Sequence, residues 1–158
     1  MKRVHYNFNK SYTFDPNHNR AHYTFDGESY MNNGDFCEVM LKSVLGYNAE
    51  KDGNTAYDKG SDIEELCMSV KSSKATLVNR VIGTDFDSVK ETYFATVHST
   101  SWAYVTHDAE SLDAYYMDRV EFAEFLDNFG YFAKERTTIR IREETKAMIR
   151  WLDAKVEE

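Results

Sequence analysis

Asp58-Lys59-Gly60-Ser61-Asp62-Ile63 is followed closely by Ser69-Val70-Lys71-Ser72-Ser73. An acidic residue at the start of one strand and a lysine at the end of the next can converge on one sheet edge. A carboxylate placed there holds a hard cation such as Mg²⁺ or Mn²⁺ through oxygen. A lysine beside it stabilises charge developing on a phosphate. Glu38, on a helix just upstream, offers a further carboxylate. Asp62 and Glu38 as metal ligands, with Ser69 and Lys71 completing the catalytic set, are the minimum kit for metal-assisted phosphodiester hydrolysis. Lys74 and Arg80 follow directly and would meet the nucleic-acid backbone.

The elements that must carry these residues are legible from periodicity. Val4, Tyr6 and Phe8 alternate with polar residues. Tyr12 and Phe14 precede the polar turn Asp15-Pro16-Asn17-His18-Asn19, and Tyr23 and Phe25 follow it. Period-two aromatics around such a turn predict a β-hairpin, and Asp26-Gly27 predicts another turn. Phe36, Cys37, Met40, Leu41, Val44 and Leu45 recur at helical spacing after Asn33-Gly34-Asp35, with Gly46 as the stop. Residues 48–60 read as a loop, and 61–82 as strand-like. A helix begins near Asp85 or Asp87, with Phe86, Val89, Tyr93 and Val97 on one face. SWAYVTHD and SLDAYYMD predict two aromatic strands joined at His107-Asp108-Ala109-Glu110, with the aromatic group Trp102, Tyr104, Tyr115 and Tyr116 in the core. Asp118-Arg119-Val120-Glu121 is a capping box opening a helix with Phe122, Phe125, Leu126 and Phe129. A strand over TTIRIR and a final helix with Ala147, Met148, Trp151 and Leu152 complete the order.

This order predicts one domain of the α+β or mixed α/β class, a central mixed sheet flanked by helices. Residues 1–31 form an N-terminal β-hairpin extension, 33–142 the core, and 143–158 a C-terminal helix. With 158 residues, of which 42 % are apolar and 15 % aromatic, the chain can bury a substantial core. That composition excludes a disordered tail. No run of 18 apolar residues and no signal-peptide core are present, so no membrane span and a cytoplasmic location are expected. Cys37 and Cys67 sit in apolar segments and read as buried, reduced thiols.

Asp62 followed by Ser69-Val70-Lys71 resembles the PD-(D/E)XK, or restriction-endonuclease-like, nuclease superfamily, which has an Asp and then (Asp/Glu)-x-Lys on adjacent strands, after a helix that often bears a Glu. The element order over residues 33–106 is similar to that family's αβββαβ core. The resemblance implies a nuclease fold and a Mg²⁺- or Mn²⁺-dependent phosphodiester hydrolase acting on DNA or RNA. Two departures stand out. Ser69 occupies the position of an Asp or Glu, which turns the metal toward Glu38, Glu64 or Glu65. Only six residues separate Asp62 from Ser69, short for a hairpin between two strands. The chain is also similar to accessory proteins of bacterial mobile elements.

Charge supplies an alternative. The net formal charge of −8 opposes unaided nucleic-acid binding. It is unevenly spread: residues 71–82 carry +3, while 83–135 hold eleven acids against three bases. Asp108, Glu110, Asp113, Glu121, Glu124 and Asp127 can therefore form an acidic face for a basic nucleic-acid-binding partner, such as a CRISPR or restriction nuclease. The chain would then be a non-catalytic inhibitor of the anti-CRISPR or anti-restriction type. Acids flanking helix starts also serve the helix dipole, and that use stays open. A third possibility is a homodimer joined through the aromatic sheet.

Overall fold

The structure is a computed structural model. It describes residues 1–8, 12–15, 22–25, 28–30, 33–47, 61–72, 76–78, 90–91, 93–95, 97–108, 110–132, 138–141 and 145–158. The elements in chain order are strands β1 (Lys2–Asn7), β2 (Tyr12–Asp15), β3 (His22–Phe25) and β4 (Glu28–Tyr30), helix α1 (Asn33–Val44), a 3₁₀ turn (Glu64–Leu66), and strands β5 (Met68–Lys71), β6 (Thr76–Val78), β7 (Ser101–His107) and β8 (Ser111–Met117). Helix α2 (Arg119–Phe129), strands β9 (Gly130–Phe132) and β10 (Thr138–Ile141), and helix α3 (Thr145–Val156) complete it. Residues 90–91 and 93–95 are also helical, on the chain between β6 and β7. The fold is mixed α/β, as its sequence pattern predicts.

A four-stranded mixed sheet in the order β1-β8-β7-β5 is the centre. β7 pairs antiparallel with β8 and parallel with β5, with Ser69 opposite Trp102 and Lys71 opposite Tyr104. A parallel pair needs a long crossover, and the helical residues 90–91 and 93–95 lie on it. Strand alternation gives this sheet two different faces. Ala103, Val105, Leu112 and Ala114 pack with Phe36, Val39, Met40 and Leu41 of α1, together with Ile63 and Met68. Trp102, Tyr104, Tyr115 and Met117 face the other way, against Phe122, Phe125, Leu126 and Phe129 of α2 and Met148 and Leu152 of α3. Trp102 stacks on Phe122 with ring centroids 4.9 Å apart and planes 6° from parallel. Ile139 and Ile141 of β10 join this aromatic layer.

β1 departs from expectation. Residues 1–31 are not one hairpin extension: β1 is an edge strand of the central sheet, antiparallel to β8. Alternation sets which residues of a strand share a face but leaves its partner open. The partner is set by contacts across the chain, among them a 2.8 Å bond between the Tyr6 and Tyr116 hydroxyls. The expected hairpin lies further on. β2, β3 and β4 form an antiparallel meander, and Asp26-Gly27 are the two residues between the paired Phe25 and Glu28. α1 touches β3 and β4 as well as β5 and β7, which accounts for the burial of every residue from Phe36 to Leu41 and of Lys42.

The capping box forms as read. The Asp118 carboxylate accepts the Glu121 N–H at 2.8 Å, and Glu121 Oε1 accepts the Asp118 N–H at 3.0 Å. Gly46, at φ +83°, takes the left-handed position that ends α1. Residues 48–60 and the start of the helix near Asp85 or Asp87 lie outside the described residues.

Replacing Phe122 with Ala removes the ring wedged between Trp102, Phe94 and Phe125. The expected cost is about 3–5 kcal/mol. It is measured as a fall in the urea midpoint at unchanged slope, and a shift equivalent to under 1 kcal/mol would contradict this packing.

Candidate active site

The short gap between Asp62 and Ser69 is closed by a tight turn. Ile63 and Met68 form an antiparallel bridge, with the 3₁₀ turn and Cys67 between them. Cys67 takes φ 49°, a left-handed conformation that costs free energy in a residue bearing a Cβ. It is exposed, unlike the buried thiol its apolar surroundings in sequence predict. The turn reverses the chain at that point and leaves the Cys67 side chain outside, while its carbonyl accepts from Thr100 N–H at 2.8 Å and Ser101 N–H at 3.2 Å. Those bonds seat the 99–101 segment against the beginning of β5.

The turn lays Asp62 beside β5. Asp62 is 7 % exposed, and its Oδ2 accepts the backbone N–H of Val70 at 2.7 Å. The bond engages a backbone donor of the strand through a charged acceptor, a strong kind of hydrogen bond. It also sets the carboxylate one residue away from Lys71, which is half-buried at the end of β5. Ser69 is buried, and its Oγ lies 2.6 Å from Ser99 Oγ. Ser99 Oγ is in turn 3.0 Å from Ser61 Oγ. Ser99 carries no recognisable signal in the sequence, where it is one serine of His98-Ser99-Thr100-Ser101. Beyond this corner, Trp102 Nε1–H donates to the Tyr93 hydroxyl at 3.1 Å. Burial pushes the Tyr93 phenol well above its ordinary range, and the nearby Asp62 charge adds to the rise.

Glu38 is placed differently. It is buried on α1, and Lys42 Nζ lies 3.6 Å from its Oε1, one helical turn on. α1 packs on the face of β5 that carries Met68 and Val70. Alternation puts Ser69 and Lys71 on the opposite face. Asp62, Ser69 and the Lys71 backbone are therefore brought together, while Glu38 belongs to the helix layer behind them. α1 is nonetheless anchored at this end of β5. The buried Cys37 thiol bonds to the Ser72 side chain, and burial pushes that thiol up to about 12. Glu64 and Glu65 are exposed on the 3₁₀ turn. Lys74 and Arg80 lie outside the described residues. Among the described residues, no group of three or more His, Cys, Asp or Glu side chains is arranged to hold a metal.

The acids of the alternative reading are largely engaged within the fold. Asp108 Oδ1 accepts the N–H groups of Glu110 and Ser111 at 2.8 and 2.9 Å, which holds its carboxyl below the usual range. Asp113 pairs with Arg3 and lies 3.0 Å from His5 Nδ1. Glu121 completes the capping box, Glu124 pairs with Lys155 at 3.4 Å, and Asp127 pairs with Lys90. Glu110 is exposed. The rings of Trp102, Tyr104 and Tyr115 are packed inside the chain, and Tyr116 lies partly buried on the opposite face of the sheet.

His107 closes β7, its ring 5.1 Å from that of Phe36. Burial lowers its pKa, although the Asp108 carbonyl and charge pull the other way. No helix among the described residues is long and apolar enough to cross a membrane. No protein-family model, curated protein or solved structure matches the chain.

Two outcomes follow from this geometry. Asp62→Ala deprives the Val70 N–H of its acceptor and is expected to cost about 1–3 kcal/mol in denaturant unfolding; a change within error would mean that the bond is not maintained in solution. His107 binds its proton less readily folded than unfolded. Below its ordinary pKa near 6.5 the unfolded chain therefore holds the extra proton, and stability rises with pH through the window from the lowered folded value up to about 6.5. His107→Gln should flatten that part of the stability profile relative to the unsubstituted chain, and superimposable profiles would rule out its contribution.

Proposed function

We propose that this chain is a nuclease-fold protein whose Asp62–Ser69–Lys71 corner binds a divalent cation and hydrolyses a phosphodiester of DNA or RNA. The observation that carries the reading is the 2.7 Å bond from Val70 N–H to Asp62, which holds a buried carboxylate against the strand that ends in Lys71. The order of elements supports it too. α1, the bridge at Ile63, β5, the helical crossover and the parallel strand β7 follow one another in an order similar to part of the αβββαβ core of the PD-(D/E)XK superfamily, while β6 pairs with β10 in a separate sheet. Ligand sites in open α/β sheets favour the carboxyl ends of parallel strands, which is where Lys71 stands.

The donor set fits a hard cation by type. Asp62 offers carboxylate oxygen and Ser69 a neutral hydroxyl, and Mg²⁺ is commonly held by one or two carboxylates, with waters and substrate phosphate completing its shell. When bound, the ion supplies Lewis acidity and lowers the pKa of a water it holds. The chain's own part is to fix Asp62 through Val70, to hold the Ser69 hydroxyl in place, and to present the Lys71 ammonium to the charge that builds on phosphate. Glu38, paired with Lys42 in the layer behind, is assigned to supporting α1 rather than to the cation. A mobile-element context is consistent with such an activity. The inhibitor reading has less support from the structure, because most acids it needs are already capping turns or paired within the chain.

The test is cleavage of DNA and RNA substrates by the purified chain with Mg²⁺ or Mn²⁺. Asp62→Asn keeps an acceptor for Val70, and Lys71→Ala leaves the strand intact. Each is expected to lower the rate by about a hundredfold or more, in line with the loss of an electrostatic contributor, while the thermal midpoint is retained. Intact substrates under every one of these conditions, or full activity in both variants, would reject the proposal.

A further inference from the structure

Three hydroxyls meet next to Asp62, two from residues 61–72 and one from the segment before β7, and all are nearly fully buried: Ser61 at 4 %, Ser69 at 3 % and Ser99 at 1 % exposure. Ser61 immediately precedes Asp62. Ser69 immediately precedes Val70, the residue that binds Asp62. Ser99 sits between them, 2.6 Å from one and 3.0 Å from the other. The result is a closed ring running Asp62, Ser61, Ser99, Ser69, Val70 and back to Asp62 through the 2.7 Å bond. Of its links, only those through Ser99 come from outside the 61–72 segment.

A serine hydroxyl has one proton to donate and two lone pairs with which to accept. A hydroxyl that ligates a cation must turn its lone pairs to the ion and give its proton to another acceptor. We propose that Ser99 is a positioning residue that does this for Ser69. The Ser69 hydroxyl donates its hydrogen bond to Ser99 Oγ, and the Ser99 hydroxyl donates its own to Ser61 Oγ, so that the Ser69 lone pairs face the Asp62 corner. This inference rests on the reading of that corner as a divalent-cation site. It also accounts for a serine standing where the resembled family carries a carboxylate. A neutral ligand whose proton direction is set from behind can serve among buried hydroxyls, where a second carboxylate would meet donors already committed to one another. Groups behind the direct ligands that orient them commonly matter about ten- to a hundredfold in metal affinity.

The experiment is a Mn²⁺ titration of the full chain, read as the free-ion electron paramagnetic resonance signal, with no substrate present. Ser69→Ala and Ser99→Ala should each weaken Mn²⁺ binding by about tenfold. The double variant should be no weaker than either single one, because both changes remove the same ligand. Ser61→Ala, which takes away only the acceptor for Ser99, should fall between these and the unsubstituted chain. It also serves as the second probe if Ser99→Ala does not keep its circular dichroism spectrum. Unchanged affinity in Ser99→Ala and Ser61→Ala, or losses that multiply in the double variant, would overturn the role of Ser99. Binding abolished by Asp62→Asn but indifferent to Ser99→Ala overturns this inference alone. A chain that binds no Mn²⁺ at all overturns the cation site and this inference with it.

Discussion

Strand β7 must be covered on both sides. Trp102, Ala103, Tyr104 and Val105 are all at most 2 % exposed, so neither face of this strand tolerates water. The residues alternate large and small, and the two sides of the sheet are built differently as a result. Over Ala103 and Val105 a helix can lie close, and α1 does. Over Trp102 and Tyr104 the space must be filled with rings, and α2 contributes Phe122, Phe125 and Phe129 while α3 contributes Trp151 at the margin. Burial on this scale is the main favourable term available to a chain of this size.

The same strand creates the candidate site. Its neighbour β5 runs parallel to it, and only the other edge of β5 remains for the turn that carries Asp62. The Asp62 carboxylate meets the Val70 N–H, a donor that pairing with β7 does not satisfy. A structural need and a chemical opportunity therefore coincide in one bond. Polar residues cluster there in number: Ser61, Asp62, Ser69, Ser72 and Ser99 are among the eight buried polar or charged side chains of the described residues. Most buried hydroxyls and carboxylates find partners, and here Ser61, Ser69 and Ser99 find one another.

Local signals were legible in the sequence to different depths. The capping box at Asp118 and Glu121, the β7–β8 hairpin and the apolar faces of α2 and α3 were readable because the physics that fixes them acts over a few residues. The pairing of β1 with β8 was not, because alternation names a face and not a partner. Cys67 looked apolar by its neighbours, yet one left-handed backbone step turns it outward. Glu38 reads in the sequence as a metal ligand; the placement of α1 on the Val70 side of β5 sets it beside Lys42. Ser99 could not be singled out, since nothing in its neighbourhood marks it until the segment before β7 folds onto Cys67.

What the sequence by itself determined is the identity of most elements (though not of β4 and β9), their apolar faces and the presence of Asp62 and Lys71 close enough along the chain to share an edge. Periodicity and capping are local, and a single chain carries them in full. What only the tertiary structure decided is which side of the sheet each helix covers, which carboxylate stands with Ser69, and which serine closes the ring around Asp62. Those outcomes depend on contacts between residues far apart in the chain, and their free energy exists only once the two faces of β7 have been filled.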